Sequence, residues 1–119
     1  MDDLVQFLRQ RLDDDEQTAR AAHAPNWSTD GRTGLYYGVE DSWMTDALTT
    51  TDADHIAHHD PTRVLREVDA KRSLLDLAER ARDYHETFVN GFAAALENTL
   101  RLYALPHADH PDYQDDWRP

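Results

Sequence analysis

The 119-residue chain contains no cysteine. That removes a disulfide framework, a thiolate zinc site and a cysteine nucleophile together. Glycine is almost as scarce. Gly31, Gly34, Gly38 and Gly91 are the only four, and none lies in a phosphate-cradling loop or a Gly-x-Ser-x-Gly nucleophile turn. No apolar run approaches the length of a membrane span, so no membrane partner is expected. The N-terminal stretch MDDLVQFLRQRLDDDE is acidic where a signal peptide is basic, and it has no separate apolar core. A cytoplasmic protein is expected.

Positive charge is also short. Twelve Lys and Arg stand against 24 Asp and Glu, for a formal net charge of −12. Such a surface repels phosphate backbones at ordinary salt, which argues against direct nucleic-acid binding and favours a basic protein partner. The charge is unevenly spread: residues 1–59 carry −8, residues 60–83 balance, and residues 84–119 carry −4. Hydrophobic content is 39% and charged content 30%, polar for a globular protein but not a disordered composition. The length suits a single domain over 1–119 with one modest core.

What is present reads mainly as helix. Leu4, Leu8 and Leu12 recur every four residues, with Val5 and Phe7 beside them, so a helix is expected from Asp3 to Ala22 within an N-terminal segment 1–24. Arg9–Asp13, Arg11–Asp15 and Glu16–Arg20 are spaced for i,i+4 pairing on its exposed side. Segment 25–51 differs. It holds three glycines, two tryptophans and adjacent tyrosines, and reads as a hairpin of Leu35–Tyr37 with Ser42–Thr45, or an ordered aromatic loop. Helices follow over 52–105. A short one runs from about Asp52 to His59, and Asp60-Pro61 then supplies a preferred cap and a preferred first residue for a long helix reaching about Tyr84. Phe88, Phe92, Leu96, Leu100 and Tyr103 form a second apolar stripe, interrupted by Asn90-Gly91, where a bend or a cap is the open question. Tail residues 106–119 carry Tyr113 and Trp117, which a disordered tail would not need, so the tail is expected to dock.

Three groups are candidates for chemistry. The densest is ADHIAHHDP at 53–61, where His55 and His59 share a helix face and His58 lies beside them. Imidazoles at that spacing suit zinc or another divalent ion, with a third ligand available from His107, Asp109 or His110. The bland alternative is imidazoles bonded to backbone, tail carboxylates or water. The metalloprotease pattern needs Glu after the first His, and Ile56 stands there, so that chemistry is absent. The run Asp13-Asp14-Asp15-Glu16 fans around a helix and suits neither an acid/base pair nor a calcium loop. The aromatics Trp27, Tyr36, Tyr37 and Trp43 suit either a partner-binding surface or the cap that closes a small core.

The blocks MDDLVQFLRQRLDDDEQTARAA, HIAHHDPTRVLREVDAKR and LRLYALPHADHPDYQDDWRP lie at the start, middle and end of the chain. Together they resemble a family of short proteins of unknown function from actinobacteria, especially streptomycetes, and their phages. The resemblance is carried by His55, His59, Asp60, Pro61, Arg63, His110, Pro111, Tyr113 and Trp117. It selects His55, His59 and His110 over His58 and His107. It implies a cytoplasmic protein with no assigned activity. Some members carry a cysteine cluster resembling a zinc knuckle before the Leu-Arg-Leu segment. Here DYHETFVNGFAAALENT has no cysteine and a helical pattern instead.

The reading is a mainly α small helical domain with a helix corner at Asp60-Pro61. Its expected role is a non-enzymatic protein-interaction module that needs no cofactor and whose partner is another protein or a second copy. A helix running on through Asn90-Gly91 would carry an apolar stripe best buried in a homodimer. One alternative is a small divalent-metal-binding, hydrolytic protein using His55, His59 and His110. Another is an acidic decoy for a basic, nucleic-acid-binding protein.

Overall fold

The computed structural model describes residues 2–82 and 87–119. In chain order its elements are α1 (Asp2–Ala21), β1 (Trp27–Thr29), β2 (Gly34–Tyr37), β3 (Ser42–Asp46), α2 (Thr50–His58), α3 (Pro61–Arg82) and α4 (Thr87–Ala104), with 3₁₀ turns at Leu105–His107 and Asp115–Trp117. The protein is mainly α with a small antiparallel sheet ordered β1-β2-β3. Among the described residues, no helix is long and apolar enough to cross a membrane.

The expected hairpin is present as β2 and β3. Its turn uses Gly38 at φ +77° and Asp41 at φ +49°, both residue types that tolerate the left-handed region. β1 is additional. Three residues are too short to show alternation, and the strand exists through its ladder to β2, with Trp27 opposite Tyr37 and Thr29 opposite Leu35. An irregularity between Leu35 and Tyr36 shifts the β3 register, so that Tyr36 meets Trp43. α2 begins at Thr50, earlier than Asp52, because the Thr49 hydroxyl oxygen accepts the Asp52 N–H at 3.1 Å. α4 runs through Asn90-Gly91 unbroken, since helical contacts outweigh the roughly 1 kcal/mol cost of one glycine. Tyr84, the expected end of the long helix, lies outside the described residues.

The chain divides into two compact units. The unit of residues 14–69 contains the sheet and α2, with one end each of α1 and α3. There β1 and β2 pack on α2, and Leu35 and Ala53 are fully buried. Glu16 and Arg20 form the expected i,i+4 pair at 3.8 Å.

The other unit comprises residues 1–13 and 70–119. Leu4, Leu8 and Leu12 of α1, Leu75 and Ala78 of α3, and Leu96, Leu100 and Ala104 of α4 are buried. Leu8, Leu12, Leu74, Leu75 and Leu100 help line a cavity of only about 20 Å³, close to the size of one water. Charged side chains link α1 to α3. Arg9 reaches Asp76 at 2.9 Å and Glu79 at 3.1 Å, and Arg72 reaches Asp13 at 2.7 Å. These pairs replace the expected Arg9–Asp13 pairing within α1, because a neighbouring helix offers two carboxylates to one guanidinium.

Candidate functional site

The corner between α2 and α3 is built around Asp60. Its Oδ1 accepts the Arg63 N–H at 2.9 Å, the N-cap bond of α3, and its Oδ2 accepts the Trp27 N–H at 3.2 Å. Pro61 has no N–H to satisfy. The Thr62 N–H goes to the Pro25 carbonyl at 3.0 Å and the Val64 N–H to the Asp60 carbonyl at 3.1 Å. The Thr62 hydroxyl lies 2.9 Å from that same Pro25 carbonyl and 2.8 Å from Asn26 Oδ1. The first turn of α3 is thus fully hydrogen-bonded, with Asp60 as its cap and Pro61 as its first residue.

His55, His58 and His59 stand on the exposed side of this corner. His58 Nδ1 lies 2.8 Å from the Asp54 carbonyl, and His59 Nδ1 lies 2.8 Å from the His55 carbonyl. A carbonyl only accepts, so Nδ1 carries the hydrogen in both rings and Nε2 is the nitrogen left for another partner. The rings of His55 and His59 lie 4.4 Å apart between centroids and are tilted by 36°. Beside them, Trp27, His59, Pro61, Val64, Ala19, Ala22, Thr18 and Asp15 line an open cleft of about 240 Å³.

His110 belongs to the other unit. The Arg11 guanidinium sits against both its ring nitrogens, 2.9 Å from Nδ1, and the Asp112 N–H donates to Nδ1 at 3.0 Å. Arg11 and the Asp112 N–H are donors at Nδ1, so Nδ1 is occupied as an acceptor. Among the described residues, no three His, Asp or Glu side chains gather as a metal-ligand group.

Phe7 organises the tail. Its ring meets Trp117 at 5.0 Å, His110 at 5.6 Å, Tyr113 at 6.0 Å and His107 at 6.1 Å, mostly edge to face. Arg11 lies over the same ring at 5.0 Å. Trp117 is only 7% exposed. Sequence reasoning saw Phe7 as one member of a helix stripe and gave Arg11 no part in the tail. Only the presence of Tyr113 and Trp117 hinted that the tail docks.

The four sheet aromatics do not form one surface. Cross-strand pairing places Trp27 with Tyr37 on one face and Tyr36 with Trp43 on the other. Trp27 Nε1–H donates to the His23 carbonyl at 3.2 Å, and the His23 ring meets Tyr37 edge-on at 4.4 Å. Trp43 is 60% exposed. Tyr36 donates its phenol to Asp30 at 3.2 Å, and Asp30 also accepts the Arg32 N–H at 2.8 Å. That backbone bond is the main cause holding the Asp30 carboxyl below its ordinary range, and the Asp30 charge pushes the Tyr36 phenol up. Gly34 makes the pairing possible, since a Cβ there would lie 2.8 Å from Asp30 Oδ2. Nothing in the sequence pointed from Asp30 to Tyr36.

The chain matches, over residues 1–119, the model of a group described as a family of unknown function (DUF6221). Comparisons with curated proteins and with solved structures each return no match. The chain therefore belongs, over its whole length, to the DUF6221 family of unknown function.

Proposed function

We propose that the protein is a non-enzymatic interaction module that binds through the solvent face of α4, with a second copy of the chain as its partner. The observation that carries this reading is that α4 itself exposes no charged side chain there; the Lys71 ammonium of α3 borders the face, over the Tyr103 ring at 5.6 Å. From Gly91 to Ala104 no exposed residue is charged, in a chain that is 30% charged. The two charged residues of that stretch, Glu97 and Arg101, are half-buried and pair with each other at 3.5 Å. Phe92 is 52% exposed, Leu102 56% and Tyr103 41%.

The spacing supports a helix partner. Phe92, Ala95, Thr99 and Leu102 follow the 3-4-3 rhythm of a coiled-coil seam, beside the buried seam of Leu96 and Leu100. The Thr99 hydroxyl donates to the Ala95 carbonyl at 2.9 Å, which uses its polarity locally. Charge favours a copy of the same face. Two chains of −12 repel wherever their acidic surfaces meet, and an isologous contact through an uncharged face avoids that repulsion. Fourteen helical residues span about 21 Å, so the contact is smaller than a standard interface and a concentration-dependent dimer is expected.

Sedimentation velocity across a wide concentration range tests this. The expected result is a monomer–dimer equilibrium that Phe92→Glu or Leu102→Glu shifts to monomer, with helicity unchanged by circular dichroism. A monomer at every concentration, or a dimer indifferent to both variants, overturns it.

A further inference from the structure

We propose that His55 and His59 form a two-point chelate for a divalent transition-metal ion that prefers nitrogen ligands, of the Cu²⁺, Ni²⁺ and Zn²⁺ class. The proposal rests on the geometry of α2 and is independent of the α4 reading. His55 lies in the last turn of α2 and His59 is its C-cap, at φ −108° and ψ 38°; both are exposed, with ring centroids 4.4 Å apart. Two imidazole nitrogens held about 2.1 Å from one ion place their ring centroids about 4.5–5 Å apart. The observed ring separation lies close to that distance.

The hydrogen bonding already favours this use. His59 commits Nδ1–H to the His55 carbonyl at 2.8 Å, which orients the ring and leaves Nε2 as the nitrogen that would ligate. Histidines that ligate metals typically hold their second nitrogen this way. His55 has no ring hydrogen bond among the described residues, so both its nitrogens are available. His58 makes the same bond, to the Asp54 carbonyl, so what singles out the pair is the meeting of the His55 and His59 rings. The local charge is mixed: Asp52, Asp54 and Asp60 lie near the histidines in sequence, and the Arg63 guanidinium lies 3.4 Å from the His58 carbonyl at the same end of α2. The helix C-terminus adds partial negative charge.

The donor set decides which ion. Two imidazoles suit Cu²⁺, Ni²⁺ and Zn²⁺, with Cu²⁺ held most tightly, and do not suit Ca²⁺ or Mg²⁺. No third ligand joins them among the described residues. Water completes the coordination, and the ion stays exchangeable and open to an outside donor.

Calorimetric titration of untagged, chelator-washed protein with CuCl₂, NiCl₂, ZnCl₂ and MgCl₂ tests the proposal, alongside imidazole proton spectra. The expected result is one ion per chain, Cu²⁺ tightest and no Mg²⁺ binding. His55→Asn and His59→Asn each weaken Cu²⁺ binding by about tenfold or more, while His58→Asn and His110→Asn leave it unchanged. Circular dichroism confirms that α2 survives each substitution. No Cu²⁺ binding, Cu²⁺ binding that survives both His55→Asn and His59→Asn, or binding that depends on His110 overturns it.

Discussion

Asp60 is the residue whose replacement tests the helix corner most directly, because its two oxygens have separate jobs. Oδ1 caps α3 through Arg63, and Oδ2 holds the start of β1 through Trp27. Asp60→Ala removes both. Loss of an Asp cap costs about 1 kcal/mol. Trp27 is half-buried, so its stranded N–H costs about 1 kcal/mol more, the low end of the range for an unsatisfied donor. The sum is about 2 kcal/mol. Asp60→Ser separates the two, since Ser is an equally good cap with a single oxygen and should lose only the Trp27 bond, about 1 kcal/mol. For a chain of this size each kcal/mol lowers the melting temperature by about 3–5 °C. Urea denaturation followed by circular dichroism is the assay, with an unchanged slope expected. If Ser proves as damaging as Ala, the cap is not what Asp60 contributes. If Ala costs less than about 0.5 kcal/mol, neither bond matters and the account of the corner fails.

Phe7→Ala should cost about 3–5 kcal/mol as a large core deletion, and the Trp117 indole NMR signal should move toward its unfolded position; an unmoved signal would mean the tail docks without Phe7. Arg9→Gln should cost less than about 1 kcal/mol, because its carboxylate partners are largely exposed, and the cost should shrink in high salt; a larger, salt-independent loss would show packing by the Arg9 stem. Asp30→Asn should lower the Tyr36 phenol's titration midpoint toward its ordinary value, since the carboxylate charge is what raises it. Ultraviolet titration reads that shift directly, and no movement would contradict the Asp30–Tyr36 bond. Because Asp30 is itself held low, whatever it adds to stability is present at neutral pH and fades only as pH falls through the acid range.

Much of the secondary structure was legible because the signals are local. The Leu4-Leu8-Leu12 rhythm, the Asp60-Pro61 cap and the Tyr-Tyr and Trp-Met strands flanking Gly38 each act over a few residues. Other features were not local. β1 needs β2 opposite it, and Thr49 is recognisable as a cap only once α2 is seen to begin there. The candidate sites divided in the same way. His55 and His59 meet because four residues of helix bring them together, which spacing alone implies. His110 is engaged by Arg11, 99 residues away in sequence, and no spacing rule points from one to the other. The aromatic set Trp27, Tyr36, Tyr37 and Trp43 was a cluster only in composition; strand alternation sends its members to opposite faces of the sheet.

The sequence by itself determined the helical class, the acid surface, the cysteine-free chemistry and the position of the corner at Asp60, because periodicity, charge count and capping preference are properties of short stretches. Tertiary structure alone decided that Arg9 serves α3 instead of its own helix, that Phe7 gathers the tail, and that α4 leaves Phe92, Leu102 and Tyr103 uncovered. Those outcomes depend on which surfaces meet across tens of residues, and burial and ion pairing reward the meeting without recording it in any local pattern.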